Sequence, residues 1–250
     1  MQHNVHFSRY CDHSTFFMER VVDENSYNCD ICCIAMSSYN NIQVVCRPEF
    51  GTALVRSLEM ISNSLSTSYT MKEPVDINGW HVYKFKYSSH FWSHDNSEAL
   101  SIGRLLIGRV MFHLGKEQGW SFLVNGNIKD TADYLWFVRD RNQQSIYQSP
   151  CFAGFEVPLS ADCAVVTPSS TDKLRFINFP TRIMEPLQSL IASIWTIQKY
   201  TPNKDLENCH QFKLKGNPWW SSGIEAVQSR MLVMKCITFL LGIRTFNLVG

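Results

Sequence analysis

Residues 83–115 read YKFKYSSHFWSHDNSEALSIGRLLIGRVMFHLG, and residues 210–242 read HQFKLKGNPWWSSGIEAVQSRMLVMKCITFLLG. Laid over one another without a gap, they agree at nine of 33 positions: Phe85/Phe212, Lys86/Lys213, Trp92/Trp219, Glu98/Glu225, Ala99/Ala226, Leu105/Leu232, Phe112/Phe239, Leu114/Leu241 and Gly115/Gly242. Leu100/Val227, Leu106/Val233, Ile107/Met234 and Val110/Ile237 keep their apolar character. Two unrelated amphipathic helices would share an apolar stripe, but not the Phe-Lys pair, the Trp and the Glu that lie outside it. A match at fixed offset signals one folding unit copied in tandem.

The match extends in both directions. Upstream, SSYNNIQVV (37–45) lies over SSTDKLRFI (169–177), and Pro48 falls on Pro180. Downstream, a one-residue deletion aligns WSFL (120–123) with FNLV (246–249). Apart from that deletion, only the loop before the third strand of the unit changes length on this alignment.

The first copy opens with two apolar runs, 29–35 and 42–46, around a Ser-Ser-Tyr-Asn-Asn turn, the signature of a hairpin. Leu54, Leu58 and Ile61 then recur at helical spacing across 50–64. After a polar loop, 82–87 alternates Val and Phe with Lys84 and Lys86, as a half-buried strand does. A second helix spans about 96–118, with Ala99, Ile102, Leu105, Leu106 and Val110 as its apolar stripe and Gly119 ending it. Strands at 120–124 and 134–139 follow. The order is ββαβαββ, an α+β unit with both helices on one face of a mainly antiparallel sheet.

The second copy repeats strands at 163–167 and 174–178, a helix at 184–197 with Pro186 in its first turn, a strand at 211–215, a helix at 224–241 and a strand at 246–249. No counterpart of 134–139 follows, which reads as a truncated copy. An unpaired edge is a liability, and residues 1–28 or the connector around 151–157 are other sources for the missing strand. The expected division is an N-terminal extension, 1–28; copy 1, 29–139; a connector, 140–160; and copy 2, 161–250.

Composition narrows the function classes. Of 250 residues, 45% are hydrophobic and 18% charged, enough to fill a core in each copy. The net charge of +1 gives no basic footprint for nucleic acid or an anionic membrane. The N-terminus has no basic segment followed by an apolar run, and the most apolar stretch, 231–243, is too short to span a bilayer and contains Lys235. The nine cysteines, several inside strand-like runs, fit reduced thiols in the cytoplasm or nucleus better than a disulfide framework. A soluble, non-secreted protein is expected.

The most distinctive shared feature is the Lys-aromatic strand followed by a Trp loop. As a ligand patch, Lys86 or Lys213 would hold an anion near a helix N-terminus, and Trp92 or Trp219 would stack on a flat group. The plainer reading packs Phe and Trp beneath the loop and points Lys to water. Asp95 with Glu98, and Ser222 with Glu225, read as helix N-caps with an acid three positions on, which explains the shared Glu without catalysis. Cys29, Cys32 and Cys33 could join Cys11, His13, His3 and His6 around zinc, but no second CxxC stands at finger spacing, and packing is the plainer account. His90 and His94 have no counterparts in copy 2. No metal and no cofactor is expected. Dinucleotide, P-loop, zincin and nucleophile-elbow signatures are missing.

The run FKLKGNPWW-x3-G-x-EAV-x2-R, from Phe212 to Arg230, resembles a family of animal and fungal proteins. Their modules carry FKLxGxPW, a GxEAVxxR helix start, a Gly-Trp strand and an Asp-rich turn. Gly119-Trp120, Asp130, Asp133 and YLWFVR (134–139) are similar to the later part of that module. The first copy lacks the Gly-x-Pro before Trp92, and the second has Phe246 in place of the Trp. The family has no established activity, so the resemblance implies no active site.

The expectation is a non-catalytic binding or adaptor protein, its partner a protein or small ligand at the junction of the copies or at the Trp loops. The rival is an enzyme for a small anionic or phosphorylated substrate. Lys86 or Lys213 would hold the anion, and His90 or His210, beside Glu98, would serve as acid–base.

Overall fold

The computed structural model describes residues 5–10, 13–18, 29–92, 97–127, 132–140, 163–202 and 208–243. Among the described residues, two N-terminal strands, β1 (Val5–Tyr10) and β2 (His13–Met18), form a two-stranded sheet of their own. The first copy then runs β3 (Cys29–Ser37), β4 (Asn41–Cys46), α1 (Pro48–Ser64), β5 (Tyr69–Ile77), β6 (Trp80–Tyr87), α2 (Ser97–Gln118), β7 (Ser121–Asn127) and β8 (Ala132–Asp140). The second runs β9 (Val165–Ser169), β10 (Lys173–Ile177), a 3-10 turn (Thr181–Ile183) leading into α3 (Met184–Ala192), β11 (Ile197–Pro202), β12 (Cys209–Leu214), a further 3-10 turn (Pro218–Trp220) and α4 (Gly223–Gly242).

The two sheets share one path. The first is ordered β5-β6-β4-β3-β8-β7 and the second β11-β12-β10-β9. All the neighbouring pairs are antiparallel. Registers of the inner strand pairs agree to the residue. Ile42 stands opposite Phe85, and Leu174 stands opposite Phe212. Ser38 and Ser170 occupy the same turn position with φ of 55° and 53°. Tyr87 donates its amide to Asn40 O at 2.9 Å, as Leu214 does to Asp172 O at 2.8 Å. The fold is α+β and duplicated, as the sequence implies.

Each copy carries an unexpected strand after its first helix, so the order of the first copy is ββαββαββ. The segment Tyr69–Ile77 reads as loop because it holds Lys72, Glu73, Pro74 and Asp76 and lies largely exposed. It is an edge strand, broken by a register shift between Lys72 and Val75, where proline and charge are tolerated. Its equivalent, Ile197–Pro202, also ends the expected helix early: α3 stops at Ala192. The Trp195 amide closes the last turn on Ile191 O at 2.8 Å, and its indole N–H binds Lys215 O, also at 2.8 Å. The length change falls mainly in the helix rather than in a loop. Pro48 to Pro180 is an offset of 132, and the helix C-caps Leu65 and Ser193 differ by 128. Four residues, about one turn, are lost between them.

The first unit is built from Met1–Ser93 and Arg109–Ala161, the second from His94–Gly108 and Asp162–Val249, so the division falls inside α2. In the first, Leu54, Leu58 and Ile61 of α1 are buried, as are Ile42, Val44, Phe85 and Tyr87 of the sheet. In the second, Leu174, Phe176, Phe212 and Leu214 form one cluster with Leu187 and Ile191 of α3 and Leu232, Cys236 and Leu240 of α4. The opposite face of this sheet meets the first half of α2. Cys209 Sγ lies 3.7 Å from Ser101 Oγ, and a Cβ on Gly108 would strike Cys163 Sγ and Val165. Among the described residues, β9 has one neighbour, β10, where its counterpart β3 has two, and β9 contains Pro168. The strand expected at 246–249 and the connector 140–160 fall outside the described residues, apart from Asp140 at the end of β8.

Candidate functional site

The tryptophans of the two loops are tied to the first hairpin of their own copy. Trp92 donates its amide to Tyr39 O at 3.0 Å, and Trp219 donates its own to Thr171 O at 3.4 Å, equivalent bonds by the repeat alignment. The Trp219 indole N–H also binds Lys173 O at 2.8 Å, and its ring packs on the core cluster. Trp92 is half-buried and meets the buried Phe91 edge-on, with centroids 5.9 Å apart. Lys86 is exposed, and Lys213 lies 3.7 Å from Asp172. The backbone amides of both tryptophans and the Trp219 indole hold the loops to the hairpins, the Trp92 indole N–H has no hydrogen-bond partner among the described residues, and the lysines face water.

At the helix starts, Asp95 falls outside the described residues, as does His94, and Glu98 and Glu225 are exposed. Ser222 stands before α4, but its hydroxyl makes no cap hydrogen bond. Gly223 has φ of 59°, so the residue that leaves helical angles is Gly223, and Ser222 lies one position too far out to reach the orphan amides.

The histidine of the second copy is buried and fully engaged. His210 Nδ1 is 2.8 Å from Tyr200 Oη, and Nε2 is 3.1 Å from Phe179 O. The carbonyl can only accept, so Nε2 carries the proton and Nδ1 accepts from the tyrosine. Burial pulls its pKa below the ordinary histidine value, partly countered by the Phe179 carbonyl. It is a neutral core histidine. His90 is exposed against Tyr39, with centroids 6.1 Å apart.

Cys32 and Cys33 are buried on successive strand positions and so point to opposite faces of the sheet. Desolvation pushes both thiols up, Cys33 to about 12, and Cys46 and Cys236 to about 11 and about 12. These are inert packing thiols. Among the described residues no group of three metal-ligating side chains converges, and His3 and Cys11 of the zinc set lie outside those residues.

The residues that carry the family resemblance in the first copy are also structural. Arg139 lies 4.5 Å from the Phe50 ring centre and 5.0 Å from that of Trp120, and reaches Asp30 Oδ2 at 3.1 Å. Asp30 and Trp120 are buried. Asp30 and Arg139 are opposite residues on adjacent strands, a pairing visible only once β3 and β8 are side by side.

The feature that stands apart is the outer face of α4. Ile224 is 79% exposed, Met234 65%, Val227 52% and Met231 44%, and Leu241 continues the stripe. Trp220, 80% exposed, stands just before them. At the equivalent positions of α2, Leu100 and Leu114 are buried and Ile107 is half-buried. The spacing was legible in the sequence. What it lacked was the choice between two apolar stripes on one helix, because Leu232, Cys236 and Leu240 make the other.

Among the described residues no helix is long and apolar enough to cross a membrane. No curated protein and no solved structure matches the chain. A family model does match, for a domain of unknown function, over residues 30–145 and again over 162–243. Those segments take in both copies of the unit, with its β3–β8 path whole in the first, and the chain belongs to that domain family.

Proposed function

We propose that the protein is a non-catalytic binding or adaptor module, acting inside the cell, that docks a protein partner on the exposed face of α4. The observation that carries this reading is the run Ile224, Val227, Met231 and Met234, all exposed on one side of α4, with the exposed Trp220 in the turn just before it. Contiguous apolar surface on this scale marks an interaction site rather than ordinary monomer surface. The commitment of both nitrogens of His210, the ion pair of Lys213 and the inert thiols support binding over acid–base or nucleophilic chemistry. Cys29, Cys32, Cys33, Cys46 and Cys236 carry free thiols, in keeping with a reducing compartment.

The test is photocrosslinking in cells. Benzoylphenylalanine at Val227 should give a discrete protein adduct, and the same group at Gln188, exposed on α3, should not. Equal labelling at both positions, or none at Val227, removes α4 as the docking surface.

A further inference from the structure

The stripe on α4 has a geometry that names its occupant. Ile224, Val227, Met231, Met234, Thr238 and Leu241 follow at alternating intervals of three and four residues. That is the spacing of a helix–helix seam, in which side chains of one helix sit between those of another. The α2 face shows what a sheet-facing surface in this unit needs: Ser101 and Gly108 are small and allow close approach to Cys209, Cys163 and Val165. The equivalent α4 positions carry Gln228 and Lys235, both exposed and too large for that approach. The surface is therefore built for a helix and not for another sheet.

The order of intervals, three-four-three-four-three, reads the same from either end. Two such helices laid antiparallel about a twofold axis place Ile224 against Leu241, Val227 against Thr238 and Met231 against Met234 of the other chain. A self-complementary patch is what a twofold dimer requires. The exposed apolar residues, from Trp220 to Leu241, offer on the order of 700 Å², close to the roughly 800 Å² that each partner gives a standard interface. The helix itself, at 20 residues, is about 30 Å long, enough for more than two turns of contact on each side of the axis.

Resting on the docking role of α4 proposed above, we infer that its occupant is the α4 of a second copy of this chain, packed antiparallel. Sedimentation velocity of the purified full chain, from about 1 to about 100 µM, tests it. The expected species has twice the 28.9 kDa of one chain. Met231→Glu with Met234→Glu should weaken association about a hundredfold or more while leaving the thermal unfolding midpoint of the monomer unchanged. Met231→Glu with Met234→Lys should restore the dimer, because the antiparallel arrangement sets the introduced carboxylate of one chain beside the introduced ammonium of the other. A parallel pair would set like charges together and stay apart, and that result overturns the antiparallel arrangement. A wild-type chain that is monomeric throughout overturns the inference, as does a dimer that both double variants leave intact. If the chain is monomeric and Val227 still crosslinks a different protein, the docking role stands and self-association alone is lost.

Discussion

At the scale of single residues, adjacent tryptophans have opposite fates. Trp219 closes its loop through an indole N–H to Lys173 O, and Trp220 reaches into solvent. Trp219→Phe should cost about 1 kcal/mol, the loss of one part-buried hydrogen bond with most of the packing kept. Trp220→Ala should change stability by less than about 0.5 kcal/mol. Urea denaturation of both variants separates structure from surface. His210 gives a pH signature. Its folded pKa is depressed by burial, so between that value and the ordinary value of about 6.5 the unfolded chain holds more protons. Stability should therefore be full above about pH 6.5 and fall as the pH drops below it. His113, also lowered by burial, contributes with the same sign. The urea midpoint at about pH 7.5 against about pH 5.5 checks this, and His210→Gln should flatten the difference. Which residues were core was legible where the repeat spoke twice, as for Phe85 and Phe212, both fully buried. A single sequence could not show that Ser222 lies one position outside its helix, because that depends on the backbone angle of Gly223.

At the scale of elements, hydrophobic periodicity located the four helices and most of the strands. It failed at β5 and β11, edge strands whose residues need no buried face. It also gave α2 a single stripe, whereas that helix has Ser101 and Gly108 on one side and Leu106 and Val110 buried elsewhere on its circumference. Small residues there mark a close approach, which composition cannot distinguish from weak helix propensity. Gly108→Val should cost about 1–3 kcal/mol by forcing the helix off Cys163 and Val165. Combining it with Cys163→Ala should recover part of that loss. A double-mutant cycle in thermal or urea unfolding reads the coupling, and strict additivity would show that the two residues are not in contact.

At the scale of the whole molecule, duplication was the most legible property, since matched offsets survive where no individual motif is diagnostic. What the repeat could not convey is how the copies differ in use. Leu100 and Leu114 are buried in α2 where Val227 and Leu241 are exposed in α4, and among the described residues the same strand position has two neighbours in β3 and one in β9. The proline in that last strand has a consequence for how the chain behaves when concentrated. A strand margin of only five residues, with one rung lacking an amide, is a poor template for the endless stacking that builds amyloid. Pro168→Val would restore the rung and add a β-branched side chain. Concentrated solutions of that variant should turn turbid and bind thioflavin within hours while the parent stays clear, and equal clarity of the two would assign Pro168 to the hairpin turn alone.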